Sequence, residues 1–293
     1  MPPQSIVWNN MKTLVLGTAN FGGSYGVAQK TDFSSEEIED ILLWSSGKIS
    51  ELDTSEDYRG SHNAISNHSQ KFKITSKINL NKMSGIEELA GRLSRVNDEL
   101  NLAKLERILL RPHFTDPVFT LRALEELAKL QISGLVSQIG LTIYDTQELE
   151  FFSENIDIPI TFQVPMNFFN MDFQGLVAGS KKRFSKYKFY VRSIFLQGLL
   201  LMKPDEIPSH LKAAVEPLTT LNQELAKRKL SLLEATIALI KEQDWISGVV
   251  IGVASLEELK QNLKVLATDT KLDLSFLKIL PDVPREISDP RRW

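Results

Sequence analysis

The sequence predicts an α/β protein, a single-domain (β/α)8 TIM barrel, from three observations. Short β-branched runs alternate with longer helical patterns from one end of the chain to the other, the mark of a parallel sheet with crossover helices. Eight such units can be counted, and no low-complexity segment, Gly/Ser linker or composition break divides them. The length of 293 residues suits an eight-fold barrel, which takes about 250 residues.

The strands are expected at Thr13 to Thr18, Ser50 to Thr54, Lys73 to Ile78, Arg107 to Pro112, Ser137 to Thr142, Ile160 to Val164, Phe189 to Ile194 and Gly248 to Val253. Helix starts are expected where a capping serine or aspartate precedes a glutamate by three residues: Ser34/Glu37, Ser84/Glu87, Asp145/Glu148, Ser231/Glu234 and Ser255/Glu258. Apolar faces follow them, as in Leu89, Leu93, Val96 and Leu100. Residues 1–10 read as an N-terminal extension ahead of a barrel with a C-terminal tail over 11–293, because Met11 stands immediately before the first strand.

Composition excludes several functions. With 34 basic and 37 acidic residues there is no sequence-independent surface for nucleic acid. The absence of cysteine removes disulfides, thiolate catalysis and Cys-ligated zinc. His62, His68, His113 and His210 show no metal-ligand spacing, so no metal is expected. The longest apolar stretches fall far below the roughly 20 residues of a membrane span, and the first ten residues hold no signal-peptide core, which makes the cytoplasm the expected location.

Against this frame, Asp53 stands at the end of the second strand, Tyr58 in the loop after it, and Lys77 at the end of the third. All three fall on the C-terminal face, where barrel enzymes build their sites. Carboxylate, phenol and ammonium are the parts of a proton donor: a tyrosine of pKa about 10 is a poor acid near neutrality, a nearby ammonium favours its phenolate, and a carboxylate keeps that ammonium charged. Such a donor suits protonation of an oxygen as a hydride reaches the carbon of a carbonyl.

Further segments carry a resemblance. They are Leu16-Gly17-Thr18-Ala19-Asn20-Phe21-Gly22, Asp53-Thr54-Ser55-Glu56-Asp57-Tyr58, Thr75-Ser76-Lys77, Ile139-Gly140-Leu141-Thr142, Phe162-Gln163-Val164-Pro165, Arg192-Ser193-Ile194-Phe195-Leu196-Gln197-Gly198, and Ile251-Gly252-Val253-Ala254-Ser255. In order and strand position the chain resembles the aldo-keto reductases, NAD(P)H-dependent carbonyl reductases on this barrel, and the Arg-Ser-x-Phe-Leu-Gln-Gly-Leu-Leu run is similar to a bacterial branch. The resemblance implies Tyr58 as proton donor, with Lys77 and Asp53 tuning it. It implies coenzyme contacts from Gly17, Thr18, Thr142, Gln163, Arg192, Ser193, Leu196, Gly198, Gly252, Ser255, Glu258 and Asn262. NADP(H) is implied ahead of NAD(H), although a carboxylate at Glu258 would repel a 2′-phosphate. The implied partner is a small carbonyl substrate, with sugar-derived and anionic forms both open; Asn20, Phe21, Tyr25, Arg59 and Arg111 are expected to shape its pocket.

The chain departs from the family at the end of strand four, where Arg111 occupies the place of a substrate-orienting histidine. His113 faces the same side only if the strand continues past Pro112. Arg111 either grips an anionic group of the substrate or is bridged to a neighbouring acid such as Asp116. The competing function is a nicotinamide-nucleotide-binding protein of the same fold with little catalysis; an unrelated barrel isomerase or lyase is a third reading.

Overall fold

The computed structural model describes residues 12–23, 25–27, 32–268, 270 and 272–293; the expected extension over 1–10 lies outside the described residues. Eight strands, β1 (Thr13–Gly17), β2 (Glu51–Asp53), β3 (Lys73–Asn79), β4 (Leu105–Arg111), β5 (Val136–Thr142), β6 (Thr161–Pro165), β7 (Lys188–Arg192) and β8 (Ile246–Gly252), pair in parallel in chain order. β8 returns to β1 and closes a single-domain barrel. Every expected strand is present, with shifted ends. β7 stops at Arg192 because Ser193 takes a left-handed φ of 56°, a conformation that ends strand pairing.

Three expected capping boxes form in full, at Ser34/Glu37, Asp145/Glu148 and Ser231/Glu234. At Ser255 the hydroxyl accepts from Glu258 N, but the Glu258 carboxylate turns to Ala254 N at 2.6 Å. Ser84/Glu87 makes no box: the chain turns through Gly85 to Glu87, the helix begins at Glu88, and its carboxylate takes Ser84 N at 2.9 Å.

Most of the core lies between strands and helices, where Leu89, Leu93, Val96 and Leu100 are all buried as their spacing requires. Inside the barrel the filling is partly polar. Arg107, 2% exposed, sends Nη1 to Glu51 Oε2 (3.2 Å) and Thr75 Oγ1 (2.8 Å), and Nη2 to Gln138 Oε1 (3.2 Å) and the Tyr190 hydroxyl (3.0 Å). Val15, Tyr190 and Val250 form a small apolar cluster of their own. This plug leaves the opposite, C-terminal end of the barrel for chemistry.

Candidate active site

Six strands end on a residue expected in the site: β1 on Gly17, β2 on Asp53, β4 on Arg111, β5 on Thr142, β7 on Arg192 and β8 on Gly252. The floor is built from β2, β3 and β6. Lys77 Nζ donates to Asp53 Oδ1 and, at 3.1 Å, to Thr54 O. Gln163 Nε2 donates to the other carboxylate oxygen, Asp53 Oδ2, at 2.7 Å. All three side chains are buried, and the ion pair is compensated on each side, as burial of charge demands.

Tyr58 hangs above this floor on a loop pinned at several points. Glu56 N donates to Lys77 O (3.2 Å), Tyr58 N to Ser55 O (3.0 Å) and Ser61 N to Tyr58 O (3.0 Å). Ser61 Oγ meets Thr18 Oγ1 at 2.7 Å and Thr54 Oγ1 at 3.1 Å. The loop after β1 presses so closely that a Cβ at Gly22 would lie 1.4 Å from Arg59 O, which only glycine permits. Lys77 Nζ is 5.4 Å from the Tyr58 ring centroid.

Tyr58 stands where two arms of one cleft meet. The first, a cavity of about 410 Å³, runs past Asn20, Ser193, Gln197 and Gly198 to Gly252 and Glu258. The second, of about 530 Å³, is lined by Asp57, Arg59, Lys77, Asn79, Arg111 and Tyr144, among others. Tyr25 and Arg192 border both arms. The Tyr25 ring lies 5.9 Å from that of Tyr58, and its hydroxyl accepts from Gln197 Nε2 at 3.1 Å.

Burial pushes the Tyr58 phenol well above its ordinary value, and the Asp53 carboxylate pushes the same way while Arg192 opposes them. The expectation that Lys77 lowers it meets this stronger effect, because the ammonium spends its hydrogen bonds on Asp53 and Thr54. The phenol is therefore held protonated. Burial likewise raises the Glu258 carboxyl.

The other expected residues divide. Gly17, Arg192, Ser193, Gly198, Gly252 and Glu258 line the first arm, and Thr142 and Arg111 the second. Thr18, Leu196, Ser255 and Asn262 line neither arm; Thr18 is buried beneath it, its N donating to Asp53 O at 2.9 Å. Phe21 is buried against Phe33 rather than open to the pocket. β4 ends at Arg111, so the condition that would turn His113 to the site is not met: its N donates to Thr120 Oγ1 at 3.0 Å and its ring packs on Phe119. Asp116 does not bridge Arg111 either, since it caps the Pro117–Ile132 helix; the acid beside Arg111 is Asp57, 3.6 Å from Nη1.

Arg192 does not lie free for stacking. Its guanidinium sits over the Tyr144 ring at 4.2 Å and donates to Ile143 O at 3.2 Å, while Arg291 from the C-terminal tail covers Tyr144 at 4.1 Å. Asn79, two residues beyond Lys77 on the same strand face, was legible from the alternation of β3; Tyr144, two beyond Thr142, has a weaker signal of the same kind. Nothing in the sequence pointed to Arg291.

A closed parallel barrel carrying an Asp–Lys–Gln floor beneath a half-buried tyrosine, at the C-terminal ends of its strands, has the arrangement of a barrel oxidoreductase. The chain belongs to the Aldo/keto reductase family, whose sequence pattern matches residues 13–280. Members in general carry out NAD(P)H-dependent carbonyl reduction. No curated protein matches the chain significantly by sequence. Among solved structures, a thermostable aldo-keto reductase in complex with the inhibitor epalrestat has a TM-score of 0.69 at 20% identity, over 92% of this chain and 94% of its own. The glycerol dehydrogenase of Gluconobacter oxydans gives 0.67 at 15% identity, over 99% and 97%. The Bombyx mori aldo-keto reductase, solved with NADP, gives 0.64 at 16% identity, over 94% and 92%. At these identities the likeness is one of fold. No helix among the described residues is long and apolar enough to cross a membrane.

The first arm fits a nicotinamide nucleotide by its own features. Gln163, whose Nε2 binds Asp53 of that lining, and Asn262, which lines neither arm, each keep a buried polar atom without a partner among the described residues. Gly252 leaves open space where a side chain would stand. Ser193, Leu196, Gln197 and Gly198 all take positive φ, so this loop is held in a conformation that costs energy, as at functional sites.

Proposed function

We propose that the protein reduces an aldehyde or ketone with NAD(P)H, with Tyr58 as the proton donor. The observation that carries this reading is the place of Tyr58, protonated and at the junction of the two arms, above the Asp53–Lys77 pair. When bound, the nicotinamide supplies the hydride. Tyr58 gives its proton to the substrate oxygen as the carbonyl carbon is reduced, and the phenolate left behind is stabilised by the Lys77 ammonium beside its ring. Asp53 keeps Lys77 charged, and Gln163 holds Asp53 in place. Gly17, Arg192, Ser193, Gly198, Gly252 and Glu258 would hold the coenzyme along the first arm, with Thr142 and Gln163 near its reactive end.

NADP(H) is the coenzyme proposed ahead of NAD(H), as the family implies. Glu258 works against it, because a carboxylate on the first arm disfavours a 2′-phosphate. Fluorescence titration with NADPH and NADH decides this by the ratio of affinities. Tyr58→Phe should keep coenzyme affinity and remove carbonyl turnover; unchanged turnover would exclude Tyr58 as donor. The second reading, a nucleotide-binding protein with little catalysis, is motivated by Arg111 in place of the histidine. Tyr58-dependent turnover of any carbonyl eliminates it.

A further inference from the structure

We propose that the second arm takes a carbonyl compound bearing a carboxylate or phosphate group, gripped by Arg111 and Arg59; this rests on the reductase reading above. The acids around this arm are largely engaged already. Asp57 accepts from Lys82 Nζ at 2.6 Å and from Asn79 Nδ2 at 2.8 Å. Glu56 accepts from Asn79 N at 2.8 Å and lies 3.4 Å from Arg92 Nη1. Asp53 is held by Lys77 and Gln163. Asp32 also lines the arm and has a partner of its own.

The two arginines are held more loosely. Arg111 is ion-paired with Asp57 (Nη1–Oδ2 3.6 Å) without hydrogen-bonding it, its guanidinium lies 5.2 Å from the Phe114 ring centroid, and its buried Nε has no partner among the described residues. Arg107 leaves its Nε unmatched as well, but each of its Nη atoms sits between two acceptors. Arg59 is exposed at the mouth and has no ion-pair partner among the described residues.

Leaving a buried guanidinium donor unmatched costs about 1–3 kcal/mol, a cost that a bound anion would remove. The planar fork of Arg111 suits two parallel hydrogen bonds to a carboxylate or phosphate. Behind Arg111 a further cavity of about 430 Å³ opens towards Arg291 and Arg292, and its only acid among the lining residues is Asp289, bound to Arg291 at 2.6 Å. This cavity adds basic side chains outward of Arg111, with Arg291 paired to Asp289 and Asp145 and Arg292 to Glu286.

The test pairs each anionic alcohol product with a neutral counterpart, glycerol 3-phosphate with glycerol and 4-(hydroxymethyl)benzoate with 4-methylbenzyl alcohol, and measures binding by calorimetry. At least one anion should bind about tenfold or more tightly than its neutral partner, and Arg111→Gln and the exposed Arg59→Gln should each erode that advantage. Which pair shows it separates phosphate from carboxylate. Equal binding within both pairs, or an advantage that survives both substitutions, overturns the proposal. Turnover of the corresponding aldehydes is read separately. Reduction of neutral aldehydes without any anion advantage sinks the anion site and keeps the reductase; anion binding without reduction of any aldehyde does the reverse.

Discussion

Gln163 Nε2 donates to Asp53 Oδ2 at 2.7 Å across the barrel mouth, and the other end of the same amide, Oε1, is buried with no donor. One side chain thus braces the ion pair beneath Tyr58, and its free end is the group we propose accepts from the ligand amide. Replacing Gln163 with leucine removes both. The bond to the coenzyme amide is a neutral one, worth about 0.5–1.5 kcal/mol, so coenzyme affinity should fall by about two- to tenfold, with turnover falling as well. Fluorescence titration of Gln163→Leu with NADPH checks the first, and steady-state rates the second.

The raised Tyr58 value sets a pH profile. The reactive form is the protonated phenol, and burial moves its loss above the ordinary tyrosine range. Carbonyl reduction should therefore show no falling limb from Tyr58 between about pH 7 and 10. Measurement of kcat/KM against pH tests this, and a fall centred near neutrality that disappears in Tyr58→Phe residual activity would contradict it.

Arg107 and Glu51 should be far more sensitive to single than to paired substitution. Arg107→Ala strands a buried carboxylate and should cost about 3–5 kcal/mol. The double change Arg107→Met, Glu51→Gln removes both charges and should recover much of that loss. Urea unfolding of the parent protein and the two variants measures the difference. Both residues face the closed end of the barrel, so coenzyme affinity of the folded protein should be unaffected.

Lys12 gives a pH-dependent stability of opposite sense to a salt bridge. Its Nζ donates to Ile240 O and, at 2.8 Å, to Lys241 O, while burial lowers its pKa from 10.5 to about 8. Below pH 8 folded and unfolded chains both carry the proton, and the cost of burying it is fully present. Between about pH 8 and 10.5 the unfolded chain holds more protons than the folded one, so this contribution to stability rises with pH. The difference in unfolding free energy between the protein and Lys12→Met should rise over that window; a flat difference would refute the assignment.

Much of this was legible in the sequence. Strand-to-helix alternation gave the barrel because a parallel strand needs a crossover helix, and local hydrogen bonds fix most helix starts, as at Ser34, Asp145 and Ser231. Where a capping pair misled, at Ser84, Gly85 allowed a turn that no spacing rule records. Asp53, Tyr58 and Lys77 could be placed on one face because strand ends in a barrel share a direction.

The sequence by itself determined the fold, the face that carries the chemistry and the residue types on its floor, since those follow from local periodicity and from the fixed geometry of parallel strands. Tertiary structure alone decided what each side chain meets. It brought Gln163 to Asp53 across 110 positions of sequence and stacked the tail's Arg291 on Tyr144. It ended β4 at Arg111, which turned His113 away. It also set the burial that holds Tyr58 protonated against the pull of Arg192. Such contacts depend on distances between segments far apart in the chain, and no local pattern encodes them.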